Sequence, residues 1–308
     1  MDEAAGPPVR VVVVNWNSGH WLAQCLGSLR EHAGPALAEV VVVDNGSADG
    51  SDDVALAQNG RLIRAGANLG FARACNLGAA GAATPYLLFL NPDAAVREGT
   101  IATVLRFMES EAASRVAVCG VRLVGEDGVV QHHATVFPTA RTMFRAEDRT
   151  LRFDHLSSRE VDHVIGAFYL IRRSVFEALG GFDERFFVYL EDMDLSRRVA
   201  KAGWKTWYLA EAVAFHKGGG TSEQVKAARQ FYSTRSRLLY AAKHLPPAKS
   251  AFVFAATMTL EPAARIGRAL LRRSMPELRE SLAAYRMLAA DLPGIVRTMR
   301  HKPLRRAD

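Results

Sequence analysis

The sequence predicts an α/β fold: a mostly parallel central sheet flanked by helices, followed by a basic helical C-terminal extension. Three observations carry this reading. Short runs rich in β-branched and aromatic residues at 9–14, 40–43 and 86–90 have the composition of strands buried on both faces. Helix-like segments fall between them, and regular alternation of strand and helix is the pattern of a parallel sheet covered on both sides. Charge, finally, is unevenly spread. Of the chain's 39 Lys and Arg, 16 fall in residues 229–308, and of its 32 Asp and Glu only 5 do, which puts a tail of net +11 on a body of net −4.

In chain order, the apolar run at 9–14 leads through the polar Asn15-Trp16-Asn17-Ser18-Gly19 into a helical pattern at 20–30. V-V-V-V at 40–43 ends in Asp44-Asn45-Gly46-Ser47. A short strand at 61–64 precedes a helix at 70–80, and Y-L-L-F-L at 86–90 ends in Asn91-Pro92-Asp93. Beyond residue 130 the pattern is less regular, with a strand-like 165–171, a turn at Gly180-Gly181-Phe182-Asp183 and a helix at 191–202. Ligands of parallel sheets sit at the carboxyl ends of the strands, where the polar clusters of residues 15–93 fall. The tail places Leu and Ile at helical spacing with Arg between them, so it reads as amphipathic helices cut by Pro246-Pro247, Pro276 and Pro293.

A chain of 308 residues, 49% hydrophobic, can bury a sizeable core. Its three cysteines, Cys25, Cys75 and Cys119, suit neither a disulfide framework nor a thiolate metal site, which points to a reducing cytosol. No apolar stretch approaches the roughly 20 residues that span a bilayer, and the start M-D-E-A-A-G-P-P is unlike a secretory signal. Three roles suit the basic tail: lying on an anionic membrane surface, binding nucleic-acid phosphates, or packing on the body with a solvated face. The apolar block at 251–256, between Lys249 and Arg265, favours the first. The tail lacks the interleaved aromatics that single-stranded nucleic acid needs.

Four constellations carry chemistry. Asp44 ends a buried strand, where a carboxylate can meet a base or ribose hydroxyls; D-N-G-S is equally a turn and helix-capping signal through Ser47 or Asp49. Asn91-Pro92-Asp93 offers oxygen ligands to a hard divalent cation, or forms a type I turn with no metal. Glu191-Asp192-Met193-Asp194 opens a helix after the apolar F-F-V-Y-L. Acids suit a helix N-terminus, yet a partly desolvated Asp192 or Glu191 there suits a general base, while Asp194 is spaced to pair with Arg197 or Arg198. His216 and Lys217, before Gly218-Gly219-Gly220-Thr221-Ser222, offer a metal ligand and a phosphate cation, or are ordinary surface residues.

The order of these signals is more specific than any one of them. V-V-N-W-N, V-V-D-N-G-S-A-D-G-S, N-L-G-F-A, L-L-F-L-N-P-D, G-G-F-D-E-R-F-F-V-Y-L-E-D-M-D-L, A-G-W and H-K-G-G-G-T-S, over residues 9–222, resemble the family 2 glycosyltransferases. N-P-D, V-Q-H-H-A-T-V-F-P-T and R-S-R-L-L-Y-A-A-K-H look most like bacterial rhamnosyltransferases. The resemblance implies a GT-A, Rossmann-like fold over 1–228, with a nucleotide-sugar half at about 9–120 and an acceptor half at about 121–228, and 229–308 as a helical extension. It implies an inverting transfer from a nucleoside diphosphate sugar, with Asp192 as base and Glu191 second. Asn15, Trp16 and Asp44 match contacts to the base or ribose, and Asn68, Gly70 and Asn76 match the loop beside the nucleotide. Asn91 and Asp93 occupy the family's D-x-D, with an amide in place of the first acid. Asp93 and His216 match ligands of a divalent cation, Mg2+ or Mn2+.

The expected function is therefore transfer of a sugar, most plausibly rhamnose from dTDP-rhamnose, to a glycan or lipid-linked acceptor in cell-envelope polysaccharide synthesis. The enzyme is expected in the cytoplasm, peripheral on the inner face of the plasma membrane, without nucleic acid and with room for a homo-oligomer. UDP-galactofuranose, UDP-hexose or GDP-mannose would suit the same fold, and a catalytically silent nucleotide-sugar-binding scaffold is the alternative of another class. Arg235 and Arg237 are further candidates for the donor diphosphate.

Overall fold

Strand and helix alternate from the first described residues: β1 (Val9–Asn15), α1 (His20–His32), β2 (Leu37–Asp44), α2 (Asp53–Ala57), β3 (Arg61–Arg64), α3 (Phe71–Ala79) and β4 (Tyr86–Leu90). Then follow β5 (Ala94–Val96), α4 (Thr100–Glu109), β6 (Val116–Val124), β7 (Arg159–Val161), β8 (Phe168–Arg172), α5 (Arg173–Ala178), α6 (Glu191–Lys201) and β9 (Lys205–His216). The structure is a computed structural model and describes residues 8–57, 60–131, 134–144, 155–218 and 225–300.

These strands form one sheet in the order β3-β2-β1-β4-β8-β6-β9-β5, with β7 also paired to β9. β1, β2, β3, β4, β6 and β9 run one way and β5, β7 and β8 the other, so the sheet is mostly parallel. The reversed β8 matters for the site. Its beginning lies beside the end of β4, with Leu90 opposite Phe168 and the Asn91 N–H donating to the Ala167 carbonyl at 3.0 Å. Residues just before β8 thus reach the edge where the loops after β1, β2, β4 and β9 emerge.

Two cores explain why β1 has no solvent-facing side. Val9, Val11 and Val13 of β1 pack in one with Leu22, Leu26 and Leu29 of α1; Val12 and Val14 pack in the other with Ala72, Cys75 and Ala79 of α3. The helix α3 comes so close that a Cβ at Gly78 would overlap Val12 Cγ1. The one charged residue of the run, Arg10, is 3% exposed. It pairs with Glu39 at 2.6 Å and donates to the Ala80 and Gly81 carbonyls at 2.9 and 3.2 Å, satisfying groups that the end of α3 leaves open.

The chain divides into two compact units. The one just described comprises the described residues of Met1–Phe137, Thr150–Asp183 and Asp192–Thr221; the other, those of Pro138–Arg149, Glu184–Glu191 and Ser222–Asp308. The second unit is helical: α7 (Lys226–His244), α8 (Pro247–Met258), α9 (Leu260–Leu271), α10 (Met275–Ala290) and α11 (Leu292–Arg300). α7 packs on α8, α10 and α11, and α9 on α8 and α10. Pro247 and Pro276 sit in the first turn of their helices, where the missing N–H costs nothing, so these prolines start helices as well as separating them. α9 ends in a Schellman motif: Ser274 N–H bonds the Ala269 carbonyl at 2.9 Å and Arg273 N–H the Leu270 carbonyl at 3.0 Å, with Arg273 at φ 52°. The apolar block 251–256 lies in α8, where Val253 is fully buried and Ala256 7% exposed. Among the described residues no helix is long and apolar enough to cross a membrane.

Candidate active site

The first cluster forms where β1 and β2 end. Asn15 and Asp44 are register partners, and the fully buried Asn15 amide donates to Asp44 Oδ1 at 3.0 Å, to Ser47 Oγ at 3.1 Å and to Ser51 Oγ at 2.9 Å. The other Asp44 oxygen accepts the Gly46 and Ser47 N–H groups at 3.3 and 3.2 Å. Both readings of D-N-G-S therefore meet in one residue: the carboxylate holds its own turn while standing at the strand end. Gly46 is required there, since φ is +80° and a Cβ would sit 2.9 Å from the Ala67 carbonyl carbon. Trp16, half-buried, follows Asn15 directly.

The loop after β3 is tied to the same cluster by Asn45, which sequence reasoning passed over. Its amide donates to Asn68 Oδ1 at 2.9 Å and its carbonyl accepts Leu69 N–H at 2.8 Å; Asn68 in turn accepts Gly70 N–H at 3.0 Å. Asn76 stands apart. Its amide exchanges two 2.9 Å hydrogen bonds with the Phe182 backbone, anchoring α3 to the Gly181-Phe182 turn.

After β4, the Ala94 N–H bonds the Asn91 carbonyl at 3.1 Å, so Asn91-Pro92-Asp93 does make a turn, and that turn delivers Asp93 to β9. Ala94 pairs with His216, and Asp93 Oδ1 lies 3.6 Å from His216 Nε2, both side chains being nearly buried. Gln131 fixes the imidazole. Its Nε2 donates to the His216 carbonyl at 2.8 Å, which a backbone oxygen can only accept, so its Oε1, 2.9 Å from Nδ1, must receive the ring proton. The neutral ring then carries its lone pair on Nε2, toward Asp93. Burial pushes the His216 pKa down, with Asp93 pulling the other way, so the ring stays neutral near pH 7. A carboxylate oxygen and an imidazole lone pair at this spacing fit a hard or borderline divalent cation, with the orienting partner such ligands commonly have. Among the described residues no group of three His, Cys, Asp or Glu converges.

Lys217 follows, its N–H on the Asp93 carbonyl at 3.0 Å, its ammonium paired with Glu126 and 5.8 Å from the Trp21 ring centre. That ion pair is exposed and weak, so the cation can be redirected at small cost. Residues 219–222 of the glycine motif, and His132 and His133, lie outside the described residues.

The third cluster surrounds Asp192, in the first turn of α6. Two consecutive non-glycine residues with left-handed backbone, Tyr189 (φ 70°) and Leu190 (φ 65°), precede the pair Glu191-Asp192, a local strain of the kind found where side chains must be aimed. Asp192 Oδ2 accepts the Gly166 N–H at 2.8 Å and faces His163 Nε2 at 3.4 Å; Oδ1 accepts the Met193 N–H at 2.7 Å. Burial raises the pKa of this carboxyl, and the His163 charge together with the hydrogen bonds more than reverses it, holding Asp192 below the usual carboxylate range. His163 is 3% exposed and its Nδ1 lies 2.9 Å from Thr135 Oγ1. His163 belongs to no local motif, whereas Thr135 lies in the V-Q-H-H-A-T-V-F-P-T stretch. Glu191 is 5% exposed. Asp194, fully buried, pairs with Arg198 at 2.8 Å, and Arg198 also donates to the Leu179 and Gly181 carbonyls, which makes Asp194 structural as the spacing predicts. In the helical unit Arg235 is held by Asp291 and the Arg185 carbonyl, and Arg237 by Glu261 and Thr257.

The sheet edge thus presents a partly buried carboxylate with a lowered pKa, a carboxylate–imidazole pair and a polar cluster at the ends of β1 and β2. Solved structures share the architecture. A mannosyltransferase from Pyrobaculum calidifontis in complex with GDP-Man and Mn2+ superposes with a TM-score of 0.57 at 19% identity, over 99% of this chain and 89% of that one. S. aureus TarS 1-349 in complex with UDP-GlcNAc does so with a TM-score of 0.54 at 16% identity, over 95% and 81%. In sequence, the chain is 34% identical over 236 residues to the N-acetylglucosaminyl-diphospho-decaprenol L-rhamnosyltransferase of Mycobacterium tuberculosis, covering 67% of this chain and 75% of that enzyme. It is 29% identical over 139 residues to the rhamnosyltransferase WbbL of Escherichia coli, covering 42% and 52%. Residues 10–180 match the family described as Glycosyl transferase family 2. With that match spanning more than half the chain on a GT-A scaffold, the protein belongs to glycosyltransferase family 2.

Proposed function

We propose that this glycosyltransferase moves rhamnose from dTDP-rhamnose to a lipid-linked glycan acceptor in cell-envelope polysaccharide synthesis, inverting the anomeric carbon. The observation that carries sugar and acceptor is the 34% identity over 236 residues to an enzyme named for L-rhamnosyl transfer to a decaprenol-linked sugar. Residues 1–228 would hold the donor half, at about 9–120, and the acceptor half, at about 121–228. The enzyme would work on the inner face of the plasma membrane, with the basic extension at that surface.

In this reading Asp192 takes the proton of the acceptor hydroxyl as its oxygen bonds the anomeric carbon and the bond to the diphosphate oxygen breaks. A base must be ionised before it can act, and the hydrogen bonds and His163 keep Asp192 so, with lone pairs to spare on both oxygens. Glu191, its neighbour, adds negative charge. Asp93 and His216 would hold Mg2+ or Mn2+, which when bound offsets the charge of the leaving diphosphate. Asn15 and Asp44 would meet the base or ribose with Trp16 stacked beside them. Asn68 and Gly70 shape the adjoining loop, Asn76 acts through Phe182, and Asn91 and Lys217 flank the diphosphate. One decisive carboxylate suffices because the leaving group needs no protonation, unlike that of a glycosidase.

Thermal stabilisation by dTDP-, UDP- and GDP-sugars, with and without Mn2+, tests the donor. Selective, metal-enhanced stabilisation by dTDP-rhamnose is expected, and selective stabilisation by another donor would overturn the sugar. Asp192→Asn should keep donor binding and lower turnover by about 10²–10⁴-fold. Undiminished turnover would remove Asp192 from the chemistry.

A further inference from the structure

Of the eight exposed large apolar side chains among the described residues of the helical unit, three fall within one turn, while Phe252, Leu260, Leu282, Met287 and Val296 are spread along the helices. Leu270 and Leu271, which end α9, are 59% and 88% exposed, and Met275, which opens α10, is 54% exposed. Burying such side chains is the default for a helix end that packs on its own fold, so three in six residues left in water mark a surface with a further contact to make. Phe252, by contrast, is the sole strongly exposed large side chain of the block 251–256, whose Val253 and Ala256 face inward.

Charge surrounds the apolar tip. Arg268, Arg272 and Arg273 are all exposed, and Glu277 lies 3.7 Å from Arg272. Arg273 occupies the left-handed position of the Schellman motif, with φ 52°, where glycine is the usual residue. An arginine is thus held at the turn in a conformation that side chains resist.

We propose that the α9–α10 turn is a membrane-insertion tip, with Leu270, Leu271 and Met275 entering the interface of an anionic bilayer while Arg268, Arg272 and Arg273 pair with lipid phosphates. Apolar side chains ringed by arginines match that boundary, where an apolar layer lies directly beneath a layer of negative charge. The proposal rests on the membrane-surface reading of the basic extension and narrows it from the whole tail to one turn.

Flotation of the full chain with vesicles of phosphatidylcholine, with and without phosphatidylglycerol, tests it. The wild type should float with the anionic vesicles, L270S/L271S should bind them at least about tenfold more weakly, and R268Q/R272Q/R273Q about a hundredfold. R273G separates binding from folding: it relieves the left-handed strain, so the melting temperature should hold or rise while vesicle affinity falls about fivefold. If the wild type floats and all three variants float equally, the turn is not the tip, although the tail still binds membrane. A wild type that floats with no vesicle overturns the membrane reading itself. Dimerisation in solution that L270S/L271S abolishes, without vesicle binding, would assign the tip to a second copy of the chain.

Discussion

At Asp192 the balance of opposing effects is visible in single contacts. Burial alone would raise the pKa of the carboxyl, and His163, with the Gly166 and Met193 N–H groups, more than reverses that. A carboxylate whose pKa is depressed in the fold contributes stability that is complete above its unfolded value, about 3.9, and is lost as pH falls through the lower folded value. Removing His163 removes a charge that favours ionisation, so in His163→Ala the Asp192 pKa should rise. The acid limb of the kcat/KM profile should then move to higher pH, and acid unfolding should begin at higher pH. An unchanged profile would reduce His163 to packing. Gln131 plays the orienting part at the other cluster. Gln131→Ala should weaken Mn2+ binding about 10–100-fold, read by metal titration of the donor-bound protein, with turnover at saturating Mn2+ largely kept. Asp93, Asp192 and His216 were legible in the sequence because each sits in a local motif at a strand or helix end. His163 lies in no motif, and although Gln131 and Thr135 stand in V-Q-H-H-A-T-V-F-P-T, the roles of all three were not legible, because each acts through partners 28 or more residues away.

For the elements, two helical glycines separate packing from propensity. Gly78 in α3 lies against β1 and β2, where a Cβ would overlap Val12 Cγ1 and touch Val43 Cγ2 at 3.0 Å. Gly27 in α1 has nothing within 4 Å of that position. Gly78→Ala should destabilise by about 1–3 kcal/mol through overpacking, and Gly27→Ala should stabilise by up to about 1 kcal/mol through helix propensity. Denaturant titration of both variants checks the pair, and equal shifts would show that α3 is not pressed on the sheet. The strands β1, β2, β3 and β4 fall where the sequence predicts: β1 and β4 are short, buried and bounded by polar loops, β2 is buried in its second half, and β3 is a short strand exposed at both ends. β6 carries the same kind of composition, but its place beside β8 and β9 depends on pairings that no local pattern encodes.

Across the whole molecule, charge is the property that the two units do not share, the tail of residues 229–308 being net +11 and the rest net −4. Binding of the full chain to anionic vesicles should therefore fall steeply as salt rises from about 0.1 to 1 M, where the screening length shrinks from about 10 Å to 3 Å. Stabilisation by a nucleotide sugar at the largely buried Asp93, His216 and Asp192 should change far less over the same range. A vesicle affinity insensitive to salt would mean that apolar contact alone carries it.

The sequence by itself determined the alternation of strand and helix, the polar residues at the strand ends and the sign of the tail, because periodicity, turn chemistry and composition are local properties of the chain. Only the tertiary structure decided that Gln131 sets the tautomer of His216, that His163 and two N–H groups draw the Asp192 pKa down, and that Leu270, Leu271 and Met275 are exposed together at one turn while Val253 is buried. Each of these depends on which distant segment is packed against a residue, and burial, hydrogen bonding and charge act through that neighbour.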